Sequence, residues 1–161
     1  MANKTPLEQD QHAIMVNNFT KYLEKNKITF RVEFIIPSEK IQPDKADVVS
    51  VNHNDIFMFE IKSGNEIYVE DIQQVKRHMH LMKKAYPLYD ISELFIFKIT
   101  MKEKYLEFKN LFVGLEVLFF DEKENTIQNA NGRNLEEILK LKVGKYAVLK
   151  TVFRRLMLPH Q

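Results

Sequence analysis

Asp47 and the triplet Glu60-Ile61-Lys62 stand at a spacing that chemistry could use. They flank Asn52-His53-Asn54-Asp55, a cluster of turn formers between two runs rich in β-branched and aromatic residues, which is the pattern of a β-hairpin. With the turn centred on that cluster, residue 52 opposes 55, and the same sum sets Asp47 opposite Glu60. Strand side chains alternate faces, so Lys62 shares the face of Glu60, and Lys45 that of Asp47. Two carboxylates then meet across the ladder with an ammonium beside them. Like charges directly opposite one another destabilise a sheet, and a divalent cation between them would offset the repulsion.

The flanking elements determine whether that meeting occurs. Residues 6–26 read as a helix opened by Thr5-Pro6, with Met15, Phe19, Tyr22 and Leu23 at helical spacing. Residues 28–36 read as a strand closed by Pro37, and 38–45 as a polar loop. The hairpin strands cover about 46–52 and 55–63. Both of their faces are apolar near the turn, as expected of central strands covered on both sides, so the acids belong at the rim of a desolvated patch. A helix over 69–86 carries Ile72, Val75, Met79, Met82 and Tyr86 on one stripe and ends at Pro87. Glu70 and Asp71 suit its N-terminal dipole, and Lys83 and Lys84 the other end. Strands follow over 93–100 and 112–120. Asn134 with Glu137 opens a short helix that Gly144 breaks, and 145–157 reads as a last helix. The order α-β-β-β-α-β-β-α-α predicts an α/β fold in one domain over 1–161, with a core of about 6–120 and an extension over 134–157.

A plainer reading competes, in which 47, 60 and 62 form a solvated checkerboard, Lys62 pairing diagonally with Asp47 and Lys45 with Glu60. Such surface pairs contribute little. Acid-x-Lys triplets also recur at Glu107-Phe108-Lys109 and Asp121-Glu122-Lys123, but neither lies mid-strand opposite a second acid. His78 and His80 diverge by about 200° on a helix of 3.6 residues per turn, so they cannot chelate one ion. With His12 and His53 remote, both read as helix-surface histidines. There is no Gly-rich phosphate loop and no Gly-x-Ser-x-Gly elbow.

The stretch Ala46-Asp47-Val48-Val49, then Glu60-Ile61-Lys62-Ser63, then Asp71-Ile72-Gln73-Gln74 resembles the PD-(D/E)XK nuclease superfamily. The order of elements over residues 6–100 also looks like that family's αβββαβ core, a mixed sheet flanked by helices, here with an extra C-terminal strand and helices. The resemblance covers roughly two-thirds of the chain. It implies a metal-dependent deoxyribonuclease hydrolysing phosphodiester bonds in DNA as an endo- or exonuclease, in repair, restriction or mobile-element processes. It implies Mg2+, with Mn2+ able to substitute, held by Asp47, Glu60 and the carbonyl of Ile61, with Lys62 acting on the attacking water. Gln74, or Gln73 as the accessory choice, would hydrogen-bond near the site. Glu8 is the accessory candidate for the family's first-helix glutamate, although an N-terminal dipole charge is the better account of it. Lys76, Lys98 and Lys102 lie on elements beside the site and would meet DNA phosphates. Asp44 in the literal Pro43-Asp44 pair is the rival first acid. The alternative is a catalytically inactive nuclease-like module that binds nucleic acid or protein.

The totals set outer bounds. An apolar fraction of 45% and a charged fraction of 29% describe an ordinary globular chain. Without cysteine there is neither a disulfide framework nor a thiolate metal site, which is compatible with a cytoplasmic, intracellular setting. No run is long enough to span a membrane. A net charge of +2 permits local phosphate contacts without announcing them. Cutting both strands of a duplex needs two sites, so a homodimer is an expected arrangement.

Overall fold

The computed structural model describes residues 4–142; the helix expected over 145–157 lies outside them. Helix α1 (Pro6–Lys25) starts where the sequence indicates, at a capping box. The Glu8 N–H donates to Thr5 Oγ1 at 3.2 Å and the Thr5 N–H to Glu8 Oε2 at 3.4 Å. At its other end the Lys27 and Ile28 N–H groups donate to Glu24 and Leu23 carbonyls. Those residues close the helix instead of entering a ladder, which is why β1 (Arg31–Ile35) is shorter than the expected 28–36.

Strands β2 (Lys45–Asn52) and β3 (Asp55–Lys62) form the hairpin. Their register runs from Asn52↔Asp55 to Val48↔Phe59, as the turn chemistry predicts. His53 adopts φ +55°, which the tight turn demands. Helix α2 (Val69–Ala85) crosses to β4 (Asp90–Lys98), parallel to β3. β4 starts before the expected 93 because it is aligned from its first residue: Asp90 pairs with Asp55, and its N–H donates to the Asn54 carbonyl at 2.8 Å. Two elements were not anticipated, α3 (Lys102–Phe108) and β6 (Thr126–Asn129). Between them, β5 (Glu116–Asp121) lies parallel to β4. Of residues 112–115, expected to be strand, Phe112 ends a 3-10 helix (Lys109–Phe112) and the rest form a turn that passes through Gly114 at φ +81°. Asn134 Oδ1 accepts the Glu137 N–H at 2.9 Å and opens α4 (residues 135–142).

Among the described residues the six strands lie in sequence order, with only the β3–β4 and β4–β5 pairs parallel. This mixed sheet flanked by helices is consistent with a restriction-endonuclease-like fold. On one face Phe19 and Leu23 of α1 and Leu135 and Ile138 of α4 pack over Phe59, Ile61, Ile96 and Phe120. On the other, α2 places Ile72 and Val75 near Phe95 and Phe97, and Met82 near Met58 and Ile91. β3 is covered from both sides, so its end is the desolvated rim on which the candidate chemistry stands. No helix among the described residues is long and apolar enough to cross a membrane.

The fully buried Phe59 ring lies 5.0 Å from that of Phe19. Phe59→Ala is therefore expected to cost about 3–5 kcal/mol of stability, read as a lowered denaturation midpoint. A loss below about 1 kcal/mol would show that this face does not carry the fold.

Candidate active site

Asp47 occupies a break in both of its ladders. The β1–β2 partners run Arg31↔Val49 and Val32↔Val48, then Phe34↔Ala46 and Ile35↔Lys45, skipping Glu33 opposite Asp47. Glu33 holds φ +50°, a left-handed conformation uncommon for a non-glycine residue and typical of strained functional segments. On the other side, pairing with β3 ends at Val48↔Phe59. Strict alternation would put Ala46 beside Val48; instead Ala46 packs with Val49 and Met58 on the α2 face, while Val48 stays on the α1 face. The strand turns about Asp47 and re-aims its side chain, as bulges do. The Ile61 N–H donates to Asp47 Oδ2 at 2.8 Å, so a carboxylate stands where a ladder carbonyl would. His12 Nε2 of α1 lies 3.4 Å from the same oxygen. The sequence reading set this histidine aside as remote; the structure brings it in.

Glu60 is 8% exposed. Burial pushes its carboxyl up to about 8, Asp47 and Asp71 add to the rise, and Lys62 and Lys4 oppose it. Lys62 Nζ stands 3.8 Å from Glu60 Oε2 and 3.3 Å from Asp71 Oδ1. The second is an ion-pair distance without hydrogen-bond geometry, since Asp71 Oδ1 is buried with no hydrogen-bond partner. Lys62 is thus held by the acid on its own strand and by one from α2, and the expected diagonal Lys62–Asp47 and Lys45–Glu60 pairs are not among the ion pairs of the described residues. Asp71, read from sequence as a helix-dipole charge, anchors this lysine.

A further acid was missed. Glu93 of β4 pairs with Met58, two positions before Glu60 on the adjacent strand. It is 3% exposed, and neither carboxyl oxygen has a hydrogen-bond partner. Burial, then Glu60 and Asp47, hold its carboxyl well above the usual range against the pull of Lys62. Its place at the first position of the expected strand made it look like a boundary residue.

The remaining candidates spread out. Gln74 is half-buried and Gln73 exposed on α2. Glu8 is engaged in the α1 capping box. Lys76 is exposed on α2, Lys102 half-buried at the start of α3, and Lys98 donates to Asn65 Oδ1 at 2.9 Å. Asp44, the rival first acid, sits in a separate cluster with Lys40 at 3.0 Å, Arg77 at 3.4 Å and His78 at 3.3 Å. Burial would raise its carboxyl, but those three cations and donors bring it below its usual range. His78 is a correction: it is buried in this cluster rather than exposed on the helix surface, and desolvation lowers its basicity. Helical periodicity placed it on the flank of the α2 stripe, and the 38–45 loop covers that flank.

Among the described residues no three acidic or imidazole side chains are already arranged to hold a metal ion. Asp47 and Glu60 nevertheless supply oxygen donors of the class that hard divalent cations use, and Mg2+ keeps several waters when only one or two carboxylates bind it. Glu93, whose buried oxygens have no hydrogen-bond partner, adds a further acid to the same corner. The donor chemistry therefore fits such an ion.

No protein-family model matches the chain, and no curated protein matches it significantly. Two solved structures resemble it. One is the crystal structure of a protein of unknown function, with TM-score 0.44 and 12% identity over 65% of this chain and 56% of that one. The other is a repair endonuclease from Pyrococcus abyssi, with TM-score 0.39 and 16% identity over 73% of this chain and 47% of that one. The chain thus spans about half the length of each.

Glu60 gives a pH signature. Its folded carboxyl lies above the ordinary value of 4.5, so its contribution is complete below that value and is lost as pH rises through about 8. In cation-free buffer the denaturation midpoint should fall as pH rises from 4.5 to about 8, and Glu60→Gln should flatten that fall. Equal slopes in the two proteins would refute the assignment.

Proposed function

We propose that the protein hydrolyses phosphodiester bonds in DNA, using a divalent cation, Mg2+ or Mn2+, held by Asp47 and Glu60 with the Ile61 carbonyl as a further donor. One observation carries the reading: a buried Glu60 shares the rim of β2 and β3 with Asp47, and Lys62 stands beside it, fixed by Asp71. The ion supplies Lewis acidity toward the scissile phosphate and lowers the pKa of bound water. Lys62 as an ammonium would orient the attacking water and balance charge on the pentavalent phosphate; to deprotonate that water instead it would first have to give up its own proton. Asp71 limits where the Lys62 ammonium can go, while His12 and the Ile61 N–H fix the Asp47 carboxylate. Gln74 hydrogen-bonds at the edge of the site. Lys76, Lys98 and Lys102 meet substrate phosphates, which makes binding steeply salt-dependent. The resemblance to the PD-(D/E)XK pattern and the sheet architecture support this assignment.

One observation favours a second reading, a binding module without catalysis. Asp47 Oδ2 already accepts from Ile61 and faces His12, so it is satisfied without an ion.

Two measurements separate them. With Mg2+, wild-type protein should cleave DNA, and Glu60→Ala or Lys62→Ala should lower the rate by at least about a hundredfold; cleavage surviving both changes would overturn the nuclease assignment. Mn2+ should raise the melting temperature of wild type by mass action but not that of Asp47→Asn. A cation-dependent shift without any cleavage would leave the binding module as the better account.

A further inference from the structure

Beside the candidate catalytic residues lies a cleft of about 540 Å³, within the range of small-ligand pockets. Lys62 and Asp71 line it, so it shares a wall with the site. Its lining offers a phosphodiester backbone no surplus of positive charge: two lysines are set among four carboxylic acids, with Asp71 paired to Lys62 and Glu66 to Lys104. A phosphate gains little net attraction from such a wall, whereas a neutral aromatic heterocycle needs no counter-charge there. Tyr68, immediately before α2, also lines the cleft; it is 54% exposed, and its ring stacks on no other aromatic ring among the described residues. Amide groups stand on the same wall. Gln11 projects from α1, and Asn65 takes the Lys98 ammonium on its Oδ1 at 2.9 Å, which leaves its NH2 free to donate. The same lysine fixes a positive charge next to the cleft.

An aromatic face, amide donors and acceptors, and a lining without surplus positive charge next to Lys62 together describe a pocket for a base rather than for a backbone. Resting on the nuclease reading, we infer that this cleft is the base subsite of the reaction: it takes one unpaired nucleobase adjoining the scissile phosphate, stacked on Tyr68, while the backbone stays outside. A base can enter only when freed from its partner, so the substrate class is single-stranded or frayed nucleic acid rather than intact duplex. Aromatic platforms of this kind accept any base, because every base offers a π-face. Sequence preference at this position is accordingly weak.

Binding in EDTA, where no cation is present and no cleavage proceeds, tests the subsite apart from the chemistry. The probes are a single-stranded DNA oligonucleotide carrying 2-aminopurine and the same strand annealed to its complement. Wild type should bind the single strand more tightly and quench its fluorescence. Tyr68→Phe should preserve both effects. Tyr68→Ala should weaken single-strand binding on the order of ten- to a hundredfold and abolish the quench, with its melting temperature unchanged. Equal or tighter duplex binding, no binding of either probe, or a Tyr68→Ala protein indistinguishable from wild type would each overturn the subsite. Stacking by a protein that never cleaves with Mg2+ would instead overturn the nuclease reading and leave the subsite standing.

Discussion

Glu60 is a carboxylic acid on the most thoroughly covered strand of the sheet, and the surrounding residues can be understood from how that burial is tolerated. An ionised carboxylate in such a place needs a counter-charge or hydrogen bonds. It has a lysine 3.8 Å away, two further acids on neighbouring strands and a fourth on α2 that shares the lysine. One ammonium cannot neutralise that many carboxyl groups, so protonation keeps the corner tolerable in the absence of a cation. Natural cores seldom retain such a group when an apolar residue would pack as well. Its retention here, at the end of an otherwise apolar strand, is understandable if positive charge arrives from outside.

The same corner carries the backbone irregularity. Glu33 in its left-handed conformation and the lapse of pairing on both sides of Asp47 occur at one level of the sheet. A regular ladder would have committed the Ile61 N–H to a β2 carbonyl and kept Asp47 in strict alternation. The irregular one lets the Asp47 carboxylate take that N–H and stand between the Ile61 backbone and the His12 ring. Regular pairing is given up where a side chain has to be aimed, and the well-packed strands on either side stabilise the strained segment.

The hairpin and its register were legible because the turn cluster is short, polar and bounded by β-branched residues, and because a period of two leaves little freedom once the turn is fixed. α1 was legible from its cap and apolar stripe, and α2 from its stripe, its end charges and Pro87. α3 was not: it has no buried residue of its own, so no apolar period marks it. β6 is four residues long, with only Ile127 buried, too short to show alternation. At the site, Asp47, Glu60 and Lys62 could be read because they lie on two strands adjacent in sequence. His12, Asp71 and Glu93 reach the site from α1, α2 and β4, and residue spacing carries no information about contacts made through tertiary packing. His78 was misplaced for a related reason, since a loop without periodicity buries it.

Two kinds of order therefore meet at the end of β3. The apolar core on both faces fixes the backbone of Phe59 and Ile61 and, with it, the direction of Glu60 between them. The polar groups beyond are tied by ion pairs and single hydrogen bonds rather than by packing, and being largely buried they exchange one partner for another instead of standing free. A site built this way has a rigid acid and adjustable partners. Lys62 can move between Glu60 and Asp71, and the Asp47 carboxylate can rotate without disturbing the core. That division would suit a centre that binds an ion and a substrate, because the group that is hardest to desolvate is buried once, during folding.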